Sequence, residues 1–117
     1  MARILIVDDS KLMRTQIEAM LKELEHDIVA QAENGEDAYN LYKEHQPDIV
    51  TMDINMPIMN GLETVKKIIN DFPDAKILMI SAHEDRKLVY EAIEYGAKDY
   101  LTKPISLEKL KVKLLRL

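Results

Sequence analysis

The chain has 117 residues, 47% of them apolar and 32% charged, with no cysteine and a formal net charge of −5 at pH 7. That length supplies one domain, 1–117, with one core. The lack of cysteine excludes a disulfide framework and a thiolate metal site and fits a cytoplasmic location, and the acidic balance argues against direct nucleic-acid binding, which needs a basic face. No apolar run approaches the roughly 20 residues of a membrane span, so membrane insertion is not expected, and the start MARILIVDDS does not read as a secretory signal.

Along the chain, short β-rich runs alternate with helix-period segments. Ile4–Val7 comes first, followed by Met13, Ile17, Met20, Leu21 and Leu24 on one helical stripe. Ile28–Ala32 precedes a thinner stripe of Ala38, Leu41 and Tyr42, with Glu33-Asn34-Gly35 read as the intervening turn. Ile49–Met52, introduced by Pro47, leads to Val65, Ile68, Ile69 and Phe72. Ile77–Ile80, introduced by Pro73, leads to Val89, Ala92 and Ile93, and Gly96 suits that helix's end. Tyr100–Thr102 and a stripe of Leu107, Leu110, Leu114 and Leu117 complete the alternation. Continuously apolar strands separated by helices indicate a parallel sheet covered on both faces. The predicted fold is α/β, a three-layer α/β/α sandwich.

Ligands of such a sheet bind beyond the carboxyl ends of its strands. Those ends read Val7-Asp8-Asp9-Ser10, Met52-Asp53-Ile54-Asn55, Ile80-Ser81-Ala82-His83 and Leu101-Thr102-Lys103-Pro104. Each taken alone has a bland explanation. Asp8-Asp9-Ser10 suits a helix cap, Asp53-Ile54-Asn55 a polar exit into a turn, Ser81 a small strand end, Lys103 a solvated cation. The histidines His26, His45 and His83 lack metal-ligand spacing and read as surface residues, and the seven methionines read chiefly as packing. Together, however, three carboxylates, a hydroxyl and an ammonium converge on one rim. Close carboxylates repel unless a proton or cation intervenes, and a hard divalent cation such as Mg²⁺ takes such oxygen ligands together with phosphate oxygens. A carboxylate can then be the nucleophile of phosphoryl transfer. With three glycines and no Gly-rich phosphate loop, the phosphoryl donor has to come from elsewhere.

The segments ILIVDDS, MDINMPIMNGLE, MISAHED and YGAKDYLTKPIS, in this order and spacing, resemble the signatures of the receiver domains of bacterial two-component response regulators, over essentially the whole chain. The resemblance implies the flavodoxin-like, CheY-like strand order 2-1-3-4-5. It implies that Asp53 accepts a phosphoryl group from the phosphohistidine of a sensor histidine kinase or its phosphotransfer domain. Asp9 and Asp53 would bind Mg²⁺, with Mn²⁺ as a substitute, through their side chains and Asn55 through its backbone carbonyl; Asp8 would hold a metal-bound water. Lys103 would pair with Asp53 and then with the phosphoryl oxygens, Ser81 and Tyr100 would be the switch residues, and Lys103-Pro104 is a cis-peptide candidate. Asn55 and His83 stand where receivers tune autodephosphorylation.

On this reading the protein is not an enzyme but a phosphoacceptor that assists its own phosphorylation and dephosphorylation. Its output would be the face of the fourth helix, fifth strand and fifth helix, docking a downstream protein. Lys109, Lys111, Lys113 and Arg116 against Glu108 make the last helix basic. VDDSKLMR resembles chemotaxis-type receivers more than transcriptional ones, and the expectation is a stand-alone regulator of that type, a monomer or a phosphorylation-dependent dimer. A receiver excised from a longer regulator and a phosphorylation-independent binding module are the alternatives. A haloacid dehalogenase-like phosphatase fits less well, because its nucleophile lies in a D-x-D motif after the first strand.

Overall fold

A computed structural model describes residues 1–117. The elements are β1 (Arg3–Val7), α1 (Lys11–Glu23), β2 (Asp27–Ala32), α2 (Gly35–His45), β3 (Ile49–Met52), α3 (Gly61–Asp71), β4 (Ile77–Ser81), a single 3₁₀ turn (His83–Asp85), α4 (Arg86–Tyr95), β5 (Asp99–Thr102) and α5 (Leu107–Leu115). All strands pair in parallel in the order β2-β1-β3-β4-β5, the doubly wound arrangement expected. Strands β1, β2 and β5 begin one residue before their apolar runs, at Arg3, Asp27 and Asp99, and β4 runs one residue further, to Ser81. Ladder hydrogen bonds use the backbone, so pairing does not stop where side chains turn polar.

The alternation of side chains across a strand divides the core in two. Leu5, Val7, Val50, Met52, Ile77 and Met79 meet Ala38 and Tyr42 of α2, Val65 and Ile68 of α3, and Val89 and Ala92 of α4. Ile4, Ile6, Ile49, Leu78, Ile80 and Leu101 meet Ile17 and Leu21 of α1 and Leu110 and Leu114 of α5. One unpartnered polar group interrupts this burial. Thr51 in β3 is fully buried, and its hydroxyl has no partner. Removing an unsatisfied buried hydroxyl at constant shape gains stability, so Thr51→Val is expected to stabilise by about 1 kcal/mol in denaturant unfolding, with no change in slope.

Four helices begin on a side chain that accepts the backbone N–H three residues on: Ser10 from Met13, Asn34 from Asp37, Asn60 from Glu63 and Ser106 from Lys109. Glu33-Asn34-Gly35 is thus not a free turn: Asn34 is the cap of α2, and Gly35 its first residue. Gly96 closes α4 at a φ of +127°, the left-handed half of the map where a side chain would be strained. Ile58, after Pro57, adopts a φ of +68° with its side chain exposed; a β-branched residue there is under strain. The surface assignment of the histidines holds for His83 alone. His26 and His45 are half-buried, and His26 Nδ1 accepts from the Ala2 N–H at 3.0 Å.

Candidate functional site

The pairing of β1 with β3 places Val7 opposite Met52, so the chain leaves both strands side by side with Asp8 and Asp53 next in sequence. Both departures are pinned: the Asp8 N–H donates to the Ala32 carbonyl at 3.1 Å and the Asp53 N–H to the Val7 carbonyl at 3.0 Å. Asp8 and Asp53 are 1% and 5% exposed, whereas Asp9 is exposed at the rim. One carboxylate oxygen from each of the three lies within 4.8 Å of the others.

Lys103, arriving after β5, lies with its Nζ 2.9 Å from Asp8 Oδ2 and 3.4 Å from Asp53 Oδ2. The ammonium therefore bridges two carboxylates, with Asp8 the nearer, and the expected pairing with Asp53 is the longer of the two. The Lys103–Pro104 peptide bond is cis, and the Lys103 N–H donates to the Ser81 carbonyl at 2.9 Å. Ser81, at the end of β4, is buried, and its hydroxyl donates to Asp53 Oδ1 at 3.1 Å. The same oxygen accepts the Ile54 N–H at 2.8 Å. Asp8 Oδ1 accepts the Ser10 N–H at 2.9 Å, and Arg14 Nη1 donates to the Asp8 carbonyl at 2.7 Å.

Burial, followed by the charge of Asp8, raises the Asp53 pKa above the ordinary carboxylate value; Lys103, the Ile54 N–H and Ser81 pull in the opposite direction without cancelling it. For Lys103, burial disfavours the charged form, but the hydrogen bond to Asp8 and the charges of Asp53 and Asp8 outweigh it, and its pKa is raised. Three carboxylates against one ammonium leave a local excess of negative charge. Hard oxygen donors at this spacing fit a divalent cation such as Mg²⁺, which would remove that excess.

The other candidate residues surround this pocket without bonding to its carboxylates. Asn55 is exposed, two residues beyond Asp53. His83 opens the 3₁₀ turn, exposed, with Nε2 2.7 Å from Arg86 Nη1. Tyr100 is half-buried, edge-on to Tyr90 at 5.8 Å between centroids, with Lys113 Nζ 5.5 Å from its ring centre. Lys113 is also paired with Asp99 at 2.9 Å, so α5 offers less free positive charge than its sequence suggests. The largest surface cleft, about 810 Å³, lies apart from the carboxylates, between α3 and α4, and is lined by Ile58, Met59, Lys66 and Tyr95 among others.

Sequence reasoning missed two participants. Arg14 holds the Asp8 carbonyl from the first turn of α1. Asp85 lies with Oδ2 3.4 Å from Ser81 Oγ. Neither belongs to an apolar stripe or stands at a strand end; only their reach back toward a strand end would have marked them.

The model of the response regulator receiver domain matches residues 4–115. The chain is 44% identical over 110 residues to the chemotaxis protein CheY of Listeria monocytogenes, covering 94% of this chain and 92% of that one. It is 45% identical over 102 residues to the CheY of Thermotoga maritima, covering 87% and 85%. Among solved structures, a chain of the CheX-CheY-BeF3-Mg complex from Borrelia burgdorferi superposes with a TM-score of 0.93 at 34% identity, covering 97% of this chain and 87% of that one. The chain therefore belongs to the response regulator receiver domains of two-component signalling, whose CheY-like fold it shares and whose general role is that of a phosphorylation switch.

Proposed function

We propose that Asp53 is the phosphoacceptor of a cytoplasmic, chemotaxis-type regulator whose receiver domain spans residues 1–117. In the reaction, an Asp53 carboxylate oxygen forms a bond to phosphorus as the nitrogen–phosphorus bond of a kinase phosphohistidine breaks, and the electron pair of that bond returns to the imidazole. The observation that carries this reading is the buried Asp53 carboxylate, held between Lys103 and Ser81 and within 4.8 Å of the carboxylates of Asp8 and Asp9. Backbone bonds on both sides fix it, as positioning catalysis requires.

Asp9 and Asp53 would hold Mg²⁺, or Mn²⁺ in its place, through their side chains, with the Asn55 carbonyl and an Asp8-bound water. When bound, the cation supplies neutralisation of charge on phosphoryl oxygens. The chain's own groups do the rest. Lys103 stays charged and within reach of the Asp53 oxygens, and Ser81 donates a hydrogen bond to whatever oxygen occupies that position. Because Ser81 already faces Asp53, phosphorylation changes the acceptor of its bond more than its direction. Tyr100, packed on Tyr90 of α4 and beneath Lys113 of α5, would relay the change to the face made by α4, β5 and α5. A phosphoryl group biases two pre-existing arrangements of that face through its differential contacts, and a downstream protein reads the outcome. Asn55 and His83 would set the lifetime of the acyl phosphate.

Incubation with acetyl phosphate and Mg²⁺, followed by intact-protein mass measurement, tests the reading. One labile phosphoryl group is expected, absent when Mg²⁺ is withheld. No gain in protein shown to bind Mg²⁺ would favour a binding module that works without phosphorylation.

A further inference from the structure

The chain passes from β1 to α1 through Asp8-Asp9-Ser10, and its two aspartates are held very differently. Asp8 is anchored at every polar group. Its N–H donates to the Ala32 carbonyl at 3.1 Å, its Oδ1 accepts the Ser10 N–H at 2.9 Å, its Oδ2 accepts from Lys103 Nζ at 2.9 Å, and its carbonyl accepts from Arg14 Nη1 at 2.7 Å. Asp9 is exposed and makes no hydrogen bond of its own. Yet the Asp8 carbonyl and the Asp9 N–H belong to one rigid peptide plane. Fixing that carbonyl fixes the direction in which the chain reaches the Asp9 Cα, and with it the base from which the Asp9 carboxylate extends.

The bond to that carbonyl is short and charge-assisted. Arg14 is half-buried, and while its own N–H closes the first bond of α1 to the Ser10 carbonyl at 3.0 Å, its side chain reaches back six residues to Asp8. The place is otherwise a poor one for a cation. A helix N-terminus favours negative charge, and the first turns of α2, α3 and α5 carry Glu36 and Asp37, Glu63, and Glu108. The first turn of α1 has no acidic residue, and the helix opens with Lys11 and Arg14. Arg14 takes part in none of the chain's ion pairs, so its guanidinium serves a carbonyl and not a carboxylate.

We propose that Arg14 is a positioning residue for Asp9: by holding the peptide between Asp8 and Asp9, it aims the Asp9 carboxylate at the divalent cation that Asp9 shares with Asp53. The metal part of this inference rests on the function proposed above.

The test is Arg14→Met, which keeps most of the stem and removes the donor and the charge, with Mg²⁺ affinity read by isothermal titration. Charge and positioning act with opposite signs. Removing a positive charge beside a cation site by itself tightens Mg²⁺ binding, whereas losing the group that orients a metal ligand weakens it by about tenfold. Weaker binding is the expected result. In an Asp9→Asn background the same substitution is expected to have almost no further effect, because the two residues act through one ligand. Tighter or unchanged binding, or an equal loss with Asp9→Asn present, overturns the assignment. NMR of the metal-free protein supplies a readout that needs no Mg²⁺. In Arg14→Met the Asp9 amide is expected to shift and its heteronuclear NOE to fall, while the amides of Ile6 and Val50 stay as they are. An Asp9 amide as rigid as in the wild type overturns the proposal as well. Wild-type protein that fails to bind Mg²⁺ would count against the metal site itself, and the amide comparison would still decide the role of Arg14.

Discussion

Asp53→Asn is expected to abolish phosphoryl acceptance and at the same time raise the stability of the metal-free protein. The loss follows from chemistry, since an amide oxygen is not a nucleophile of carboxylate strength. The gain follows from burial. Asp53 is 5% exposed, and its raised pKa means that the fold disfavours its charged form. Asparagine keeps an oxygen for Ser81 and the Ile54 N–H, while Lys103 keeps its closer bond to Asp8 at 2.9 Å. A gain of about 1–2 kcal/mol, or roughly 3–8 °C in Tm, is expected above the pH at which Asp53 ionises. The folded state binds this proton more tightly than the unfolded chain, so wild-type stability is lost as pH rises from the ordinary carboxylate value of 3.8 through the raised one. The two proteins should therefore converge in acid and separate toward neutrality. Mg²⁺ should narrow the neutral gap, because a ligand of the folded state alone stabilises the protein that binds it better. A lower Tm for Asp53→Asn in metal-free neutral buffer would show that the cluster is not under electrostatic strain.

Gly61→Ala is expected to be among the most damaging single-methyl additions in the molecule. A Cβ there would stand 2.0 Å from the Asp53 carbonyl oxygen and 2.9 Å from both the Asp53 carbonyl carbon and the Ile54 Cα. All three are backbone atoms, so no side chain can rotate aside. The Gly61 N–H also donates to the Ile54 carbonyl at 2.8 Å, tying the first turn of α3 to the strand exit that carries Asp53. A loss of about 3 kcal/mol is expected in denaturant unfolding, at the upper end of overpacking costs. The Asp53–Asn55 segment would have to move, so Mg²⁺ affinity should fall as well. Isothermal titration would check this; unchanged affinity would mean that the segment is not a metal ligand.

Strand positions were legible because buried parallel strands are apolar on both faces, and Ile4–Val7, Ile49–Met52 and Ile77–Ile80 have no polar alternation to confuse them. The rim was legible because topology places every strand end on one edge. What the sequence could not supply were distances across that edge. Asp8 and Asp9 are adjacent in the chain, but successive side chains at a strand end point opposite ways, so one is buried against Lys103 and the other lies at the rim. The preference of Lys103 for Asp8 depends on side-chain reach across several strands. Asp85 depends on a 3₁₀ turn that shifts the start of α4, which periodicity does not register. The close approach at Gly61 depends on how α3 lies against β3.

Asp53, and neither Asp8 nor Asp9, is predicted to take the phosphoryl group. Borohydride reduces an acyl phosphate to the alcohol, so trapping after acetyl phosphate and Mg²⁺, followed by peptide sequencing in the mass spectrometer, names the residue. Homoserine at position 53 alone is the predicted result. Homoserine at position 8 or 9, or its absence from a protein that has gained the phosphoryl mass, would contradict the account.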